Sequence, residues 1–293
     1  MMNTRTRGEK VFNAANILFM ILICVTMLYP FLYLLARSLS SPEASSLSYS
    51  IIPQGFTLEN YGKVLENSDI ATGFKNALIR TVLGTAVNLV MTIFAAYPLS
   101  KRYFPHRTFW MGLVVFTMFF GGGMIPTYLL IKRLGMLNTI WALILPGAIS
   151  TYNMIIMRNF FMALPESLEE AAQIDGANEM VVLFKVVLPM SMPILATIAL
   201  WSMVGHWNAW FDALIYNTEP SIQVLQVVMR RIVLEGTAQM LNPNSSDNNF
   251  HQFVNPENIK AATIMVTTIP IIMVYPFLQK YFVKGILVGS LKG

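Results

Sequence analysis

Long runs of apolar residues separated by short polar connections dominate this 293-residue chain. A helix needs about 20 apolar residues to cross the hydrocarbon layer of a bilayer. Because no water is present there, the backbone polar groups must bond within the segment, and a helix achieves this. We therefore predict an all-α polytopic membrane protein with one domain and six transmembrane helices. The predicted spans are 11–35, 74–99, 109–131, 139–157, 190–216 and 261–282.

Composition supports a membrane protein. Of all residues 55% are hydrophobic and 12% are charged, whereas an average soluble domain has about 25% charged residues. The single cysteine lies in the first apolar run and the three histidines are scattered, so we predict neither a disulfide framework nor a metal site. Basic residues cluster at the ends of apolar runs, which indicates contact with membrane lipid and argues against a nucleic-acid partner.

The distribution of lysine and arginine places both termini in the cytoplasm, with a weak bias. In this orientation segment 158–189 is cytoplasmic, and the polar loops 38–72 and 217–257 are extracytoplasmic. Arg80 is counted among the charges of the opposite side. Lys132 and Arg133 do not fit this orientation, because it places them on the extracytoplasmic side in a short connection, where basic residues are not expected.

The cytoplasmic segment has the signals of two short helices joined by a turn. Pro165 suits a first helical position, and a group of glutamates that includes Glu170 follows it, where carboxylates complement the positive helix end. Gly176 can take the left-handed conformation that ends a helix. A second helix is predicted over 178–187, ending before Pro189 because the residue preceding a proline disfavours the helical region.

Polar residues inside the spans are candidates for a solute path, since burying them in lipid is costly. An aromatic ring beside an amide suits a sugar, because the ring stacks on a pyranose face while the amide bonds its hydroxyls. For the asparagines, hydrogen bonding between helices is an equally good interpretation. The candidates are Asn88, Thr92, Tyr152, Asn153, Trp207 and Asn208.

Three further features have two interpretations each. Trp210 and Asp212 are better explained as residues of the membrane interface than as solute contacts. The glycine run 121–123 indicates either a bend near the solute path or close packing between helices. The sequence has no phosphate-binding loop, nucleophile elbow or zinc-protease pair, so we expect no catalysis and no cofactor in this chain.

The segment from residue 170 to residue 189 has a specific spacing. It reads Glu-Ala-Ala, three residues, Gly, nine residues, two aliphatic residues and Leu-Pro. This resembles the EAA loop of ABC importer permeases. Segments 119–128, 134–139 and 143–146 are similar to the carbohydrate-importing branch, and in particular to permeases for oligosaccharides from plant or algal polysaccharides, often rich in uronate. The tail 289–293 is similar to that of the shorter permease of the maltose system.

The resemblance implies a type I ABC importer permease in a bacterial cytoplasmic (inner) membrane, with a cytoplasmic coupling helix. Its implied partners are a second homologous permease, an ATPase dimer that binds ATP and Mg, and an extracytoplasmic solute-binding protein. The loop 217–257 would either probe that protein or serve as a passive connector. The implied ATPase-coupling residues are Glu170, Ala171, Ala172, Asp175, Gly176, Leu188 and Pro189.

Several points stay open at this stage. In the maltose system the longer permease holds most of the sugar, so this chain's share in specificity is undetermined. The alternatives are an ion-coupled secondary transporter, for which Asp212 is the sole candidate carboxylate, and a membrane enzyme, for which no clustered nucleophile and base are present.

Overall fold

The computed structural model describes residues 7–41, 50–241 and 257–273. These ranges are predominantly helical and contain no β-strand, apart from one isolated antiparallel bridge between Ser40 and Phe56. The predicted all-α class is therefore confirmed. In chain order the helices are α1 (Arg7–Ser38), α2 (Glu59–Glu66), α3 (Ser68–Ser100), α4 (Arg107–Phe119), α5 (Met124–Arg133), α6 (Trp141–Ile144), α7 (Thr151–Met162), α8 (Glu166–Ile174), α9 (Glu179–Met190), α10 (Met192–Asn208), α11 (Phe211–Tyr216), α12 (Leu225–Leu241) and α13 (257–273).

Two of the described helices, α1 and α3, are long and apolar enough to cross a membrane. Two bent pairs also qualify when each pair is taken as one broken span: α4 with α5 at 110°, and α9 with α10 at 81°. The predicted spans 11–35 and 74–99 lie within α1 and α3. That the chain crosses the membrane six times stays a prediction.

The glycine run bends the predicted span 109–131. The bend between α4 and α5 falls here, and Gly123 has φ 84°, a value that glycine adopts without strain. A Cβ built at Gly121 or Gly123 would meet nothing within 4 Å in the described chain. The structure thus has the bend and shows no close packing of other segments against these two glycines.

Two other predicted spans are interrupted helices. Range 139–157 contains α6, a 3-10 turn at Leu145–Gly147 and most of α7. Pro146 lies in that turn, and the helix is interrupted there because proline has no N–H to continue the backbone hydrogen bonds. Range 190–216 contains α10 and α11 with a break at Ala209 and Trp210. A hydropathy profile does not distinguish an interrupted helix from a continuous one, because it depends on residue type and not on where the backbone hydrogen bonds stop.

The ranges predicted as polar loops also contain helices. Range 38–72 includes α2 and the start of α3, and range 217–257 includes α12. The beginning of α12 is buried, with Leu225, Val227 and Val228 inside the protein. The turn-rich stretch 242–249, the end of the sixth predicted span and the tail 289–293 lie outside the described residues.

The chain forms two compact units, Met1–Ser68 with Met229–Ile269, and Asp69–Val228 with Pro270–Gly293. In the first unit the Asn60 amide donates to the carbonyls of Ser38 and Ser40, each at 2.9 Å. The Asn258 amide donates to the Ser40 carbonyl at 3.0 Å. The end of α1 is therefore held by α2 and α13.

The second unit has a hydrophobic cluster in which the last turns of α3 pack with α7, α9 and α10. Ala96, Met154, Val187 and Ile198 are completely buried there. All the geometry of the candidate sites below belongs to this unit.

Candidate functional site

The turn between α8 and α9 is built from local hydrogen bonds. The N–H groups of Gly176 and Ala177 each donate to a carbonyl in the last turn of α8 at 3.0 Å. This is the Schellman arrangement, with Gly176 in the left-handed region at φ 85°. The Asn178 side chain then accepts from the Val181 N–H at 2.9 Å and caps α9. The glycine stop predicted from the sequence is present.

Two details of this segment differ from the prediction. Pro165 has an extended ψ of 119° and precedes α8, so it is the capping residue and not the first helical one. Leu188 remains helical, with φ −64° and ψ −44°, and α9 continues to Met190. A wider π-helical turn at Leu183–Val187 moves the carbonyl that the Pro189 ring would otherwise meet, which lets the helix pass the proline.

The predicted coupling residues fall into an exposed set and a packed set. Ala172 and Leu188 are half-buried and pack against the hydrophobic cluster of α3, α7, α9 and α10. They attach the segment to the rest of the unit, whereas the other members are available to another protein. The exposed members are Glu170, Ala171, Asp175, Gly176 and Pro189.

Two carboxylates anchor the segment to the end of α3. Glu169 forms an ion pair with Lys101, both largely buried. The Glu179 carboxylate accepts hydrogen bonds from the hydroxyls of Tyr97 at 2.8 Å and Tyr103 at 2.9 Å. Partial burial and the neighbouring Glu179 raise the pKa of Tyr103 to about 12. This hydroxyl therefore keeps its proton and donates at neutral pH, so α3 and the segment are connected by charge and by hydrogen bonds.

The outer face of α8 is apolar. Leu168, Ala171 and Ile174 are spaced three apart and so lie on one side of the helix. All three are exposed, Ile174 to 86%. An exposed apolar face on so short a helix is typical of a docking surface.

Glu170 differs from its acidic neighbours on α8. Glu166 pairs with Arg102 at 3.4 Å, and Glu169 pairs with Lys101. Glu170 forms no ion pair with any residue that the structure describes. Its charge is therefore available for a basic group of another chain.

A second feature is a cavity of about 460 Å³ between α3, the α6–α7 segment, α10 and α11. This volume is in the range of about 300–1,000 Å³ that is usual for small-molecule sites. Trp201 and Tyr216 supply aromatic surface to its wall. The polar residues of the wall are Arg80, Asn88, Asn153, Ser202, His206 and Asp212.

A buried ion pair joins α3 to the break between α10 and α11. Arg80 Nη1 donates to Asp212 Oδ1 at 3.1 Å and to the Ala209 carbonyl at 3.0 Å. Arg80 Nη2 pairs with Asp212 Oδ2, and Asp212 Oδ1 also accepts from the Ala213 N–H at 2.8 Å. One guanidinium thus bonds the end of α10 and the first turn of α11. It stabilises the interrupted helix that forms one wall of the cavity.

This pair adds two facts that the sequence interpretations do not include. Arg80, which the sequence analysis counts among the charges of the opposite side, is buried within α3. Asp212, which the sequence analysis interprets as a residue of the membrane interface, forms an ion pair with Arg80. The sequence contains a usable signal for this pair, because an arginine inside an apolar run requires a partner and Asp212 is the only carboxylate within the six predicted spans.

The predicted path residues are only partly brought together. Asn88 lines the cavity, and its amide donates to the Gly147 carbonyl at 3.0 Å and the Ala148 carbonyl at 3.2 Å. Asn153 lines it as well. Asn88 therefore bonds a neighbouring helical segment and also lines the cavity, and its contact with a solute stays a prediction.

The other four candidates are not part of the cavity lining. Thr92 is buried one turn further along α3, and Asn208 is exposed. Trp207 is buried edge-on against Phe74 with ring centroids 5.8 Å apart, so it is placed as a packing residue. Tyr152 is exposed and lies beside Trp201, with ring centroids 6.1 Å apart.

Sequence reasoning missed Trp201, Ser202 and His206 as cavity residues. They occupy α10, which is apolar on almost every side, so periodicity did not single out one face. Only the packing of α10 against α3 and α7 decides which residues face the cavity.

The replacement of Gly84 by alanine is expected to disturb the cavity wall. A Cβ at Gly84 would lie 2.5 Å from His206 Nε2. The imidazole ring must move to make room, at a cost of about 1–3 kcal/mol. Thermal unfolding of the purified protein should show a lowered midpoint. Gly112→Ala is the matched control, because a Cβ there meets nothing within 4 Å; equal midpoints for the two variants would contradict the expectation.

Comparison with known proteins identifies the kind of molecule. Residues 70–288 match the family described as "Binding-protein-dependent transport system inner membrane component". The chain belongs to this family. It is therefore a permease subunit of an ABC importer and an inner-membrane component, with ATP hydrolysis carried out by separate subunits. The resemblance inferred from the EAA spacing is confirmed.

Known proteins are similar to this permease over nearly its whole length. Protein LplC of Bacillus subtilis (strain 168) is 44% identical over 98% of this chain and 97% of its own length. The polygalacturonan/rhamnogalacturonan transport system permease protein YtcP of the same organism is 42% identical over 94% of this chain and 96% of its own. A crystal structure of a bacterial ABC transporter involved in the import of the acidic polysaccharide alginate matches with a TM-score of 0.88 and 30% identity, covering 96% of this chain and 100% of that one.

Family membership removes the alternative of an ion-coupled transporter that works without an ATPase. That alternative has Asp212 as its sole candidate for a carboxylate that couples to an ion. In the structure Asp212 is paired with Arg80, which compensates its charge.

Proposed function

We propose that the permease carries oligosaccharides across the membrane as one half of an ATP-driven, binding-protein-dependent importer. Fragments of acidic polysaccharides such as pectin or alginate are the proposed cargo. The similarity to YtcP and to the alginate importer supports this substrate class. The observation that carries the coupling role is the exposed helix α8. It has an apolar face, its Glu170 forms no ion pair with the described residues, and Glu169 together with Glu179 of α9 anchors it to the end of α3.

The proposed coupling starts at α8. A cleft of the ATPase receives the face formed by Leu168, Ala171 and Ile174, and a basic group of the ATPase pairs with Glu170. When the ATPase dimer closes on ATP and Mg, α8 moves with it. The permease itself binds neither ATP nor Mg.

The movement passes from α8 to the cavity through α3. The Lys101–Glu169 pair and the tyrosine bonds to Glu179 connect the segment to the end of α3. The same helix carries Asn88 and Arg80 in the cavity wall. Displacement of α8 would therefore shift one wall of the cavity and change the side of the membrane to which it opens.

The remaining parts of the proposal concern the assembly. A second, homologous permease completes the path, and an extracytoplasmic binding protein delivers the solute. The chain crosses the membrane six times with both termini in the cytoplasm. The loop 217–257 faces the binding protein.

Purification in mild detergent from the native membrane, with mass spectrometry of the companions, tests this function. We expect an ATP-binding subunit and a second permease with an EAA loop. Recovery of the chain alone, with solute uptake intact after reconstitution of that single chain, would contradict the proposal.

A further inference from the structure

The interface between α4 and α7 contains two half-buried arginines. Arg107 is the first residue of α4, and Arg158 lies in the last part of α7. Arg107 is spaced four residues from Met111, which packs against the hydrophobic cluster of this unit, and Arg158 is spaced four residues from the buried Met154 of that cluster. Residues with this spacing lie on the same side of a helix. Both arginines therefore lie on the sides of α4 and α7 that face the cluster.

The register of the two helices brings the arginines to nearly the same level. The hydroxyls of Thr117 and Thr151 are hydrogen-bonded at 3.2 Å, which joins the last turn of α4 to the first residue of α7. Because α4 also packs on the cluster nearer its own start, the two helices run antiparallel. At the rise of an α-helix, Arg107 lies about 15 Å before Thr117 and Arg158 about 10 Å after Thr151. The offset between the two arginines is less than one helical turn, which their long side chains can bridge.

The two guanidinium charges are not compensated by the described part of the chain. Burial and the neighbouring charge of Arg107 lower the pKa of Arg158, yet an arginine remains charged at neutral pH. Arg158 donates to the Leu99 carbonyl at 2.8 Å and to the Asn159 side chain at 3.1 Å. Arg107 Nη1 is buried without a hydrogen-bond partner among the described residues, and neither arginine forms an ion pair with them.

An anion bound by both arginines would remove two costs at once. It would offset the repulsion between the like charges, and it would accept from the buried Arg107 donor, whose lack of a partner is unfavourable. A phosphate group fits best, because the planar guanidinium can donate two parallel hydrogen bonds to its oxygens.

The surroundings of Arg107 indicate the source of the phosphate. Phe109 is 64% exposed and Trp110 is 45% exposed, so large apolar rings project from α4 beside the arginine. Aromatic side chains are typical of the level of the lipid headgroups. The two arginines also lie at the ends of the predicted spans 109–131 and 139–157 that the proposed orientation places in the cytoplasm. Basic pockets between membrane helices on this side bind lipid headgroups.

We propose that Arg107 and Arg158 form a binding site for the phosphate of an anionic phospholipid of the cytoplasmic leaflet. The inference goes beyond the proposed function and takes only the orientation of the chain from it. The bound lipid stabilises the place where α4 and α7 meet the end of α3, because Arg158 also holds the Leu99 carbonyl. The coupling segment begins directly after α7, so the lipid supports the part of the permease to which α8 is attached.

The test uses the assembled transporter, delipidated in a neutral maltoside detergent. Phosphatidylglycerol or phosphatidylcholine is added, lipid binding is measured by native mass spectrometry, and the unfolding midpoint is measured in parallel. The wild type should bind phosphatidylglycerol more tightly than phosphatidylcholine, and phosphatidylglycerol should raise its midpoint. Arg107→Gln should weaken phosphatidylglycerol binding about fivefold, the contribution of one basic residue near a membrane surface, and should abolish the rise in the midpoint.

Two features keep this test independent of folding. Arg107 has no partner among the described residues, so the lipid-free Arg107→Gln transporter should be at least as stable as the lipid-free wild type. Arg102→Gln is the matched control, because it removes the same charge from the same end of the chain, but Arg102 is exposed and paired with Glu166. This control should bind phosphatidylglycerol like the wild type and show the same rise in the midpoint.

Inorganic phosphate alone distinguishes the two sources of the anion. It should leave the midpoint of the wild type unchanged. A rise with inorganic phosphate that Arg107→Gln lacks would overturn the lipid proposal and indicate a site for a free ion. Loss of a partner subunit from the Arg107→Gln transporter, without any effect of lipid on the wild type, would overturn it in favour of a carboxylate supplied by that subunit.

The proposal also fails if the wild type and Arg107→Gln bind phosphatidylglycerol equally, or if the wild type does not distinguish the two lipids. Failure of the proposed function is a separate outcome. It would appear as an absence of the ATPase from the purified wild-type transporter, whatever the lipid measurements show.

Discussion

Replacement of Gly176 by proline or of Glu170 by lysine is expected to stop ATP-driven uptake while the permease remains in the membrane. Gly176 has φ 85°, and proline requires about −65°. Proline would also remove the N–H that donates to the last turn of α8. The turn cannot form, so α8 would no longer be presented to the ATPase.

The lysine variant acts through charge at the same surface. Reversal of Glu170 places a cation where the ATPase is proposed to present one. A lost central contact of this kind costs about 2 kcal/mol or more, which weakens docking about 30-fold. Uptake of labelled oligosaccharide by membrane vesicles, with immunoblotting for the permease, measures both effects.

Two controls separate coupling from folding. Gly176→Ala keeps the backbone N–H and loses only about 1–2 kcal/mol, the cost of placing a residue with a Cβ in the left-handed conformation. This variant should retain partial uptake. Glu59→Lys reverses an exposed acid on α2, which is not part of the predicted coupling residues, and should behave as the wild type. Normal uptake by Glu170→Lys would refute the coupling role of this residue.

The second large effect is expected at Arg80. Arg80→Met leaves Asp212 without its partner and removes the donor to the Ala209 carbonyl. Breaking a buried pair on one side costs about 3–5 kcal/mol, and the partial exposure of Asp212 places this case at about 3 kcal/mol. The unfolding midpoint in detergent should fall clearly, and uptake should be lost.

The double variant Arg80→Met/Asp212→Leu distinguishes charge from shape. Removal of both partners of a buried pair is often neutral for stability, so the unfolding midpoint should return toward the wild-type value. Arg133→Met on the exposed end of α5 is the matched control. An Arg80→Met variant as stable as this control would show that the pair does not hold the helix break.

The two helices and the turn of segment 166–190 could be predicted because their signals are local. A proline before α8, glutamates in its first turns, and a glycine that takes φ 85° each act within a few residues. The sequence was misleading at the end of α9, where the rule that a helix ends before a proline does not hold because packing stabilises the helix. Leu188 stays helical before a proline because the wider turn at Leu183–Val187 absorbs the clash.

The cavity was less predictable for the opposite reason. Asn88 and Asn153 were identified by polarity alone, and both line it. Trp207 is predicted as an aromatic ring beside an amide, yet it packs against Phe74, while Trp201 on the same helix lines the cavity. In a helix that is apolar on nearly all sides, residue type does not indicate which side faces solute, lipid or protein.

The sequence by itself determined that this chain is a helical membrane permease, and it predicts which segment meets the ATPase. The length of an apolar run and the EAA spacing are properties of consecutive residues. Both can therefore be recognised without knowing which helices pack together. Only the tertiary structure decided that Arg80 pairs with Asp212, 132 positions away, and that α10 turns Trp201 and Ser202 toward the cavity. Those facts depend on which helices pack together, because a buried charge takes its partner from its neighbours in space.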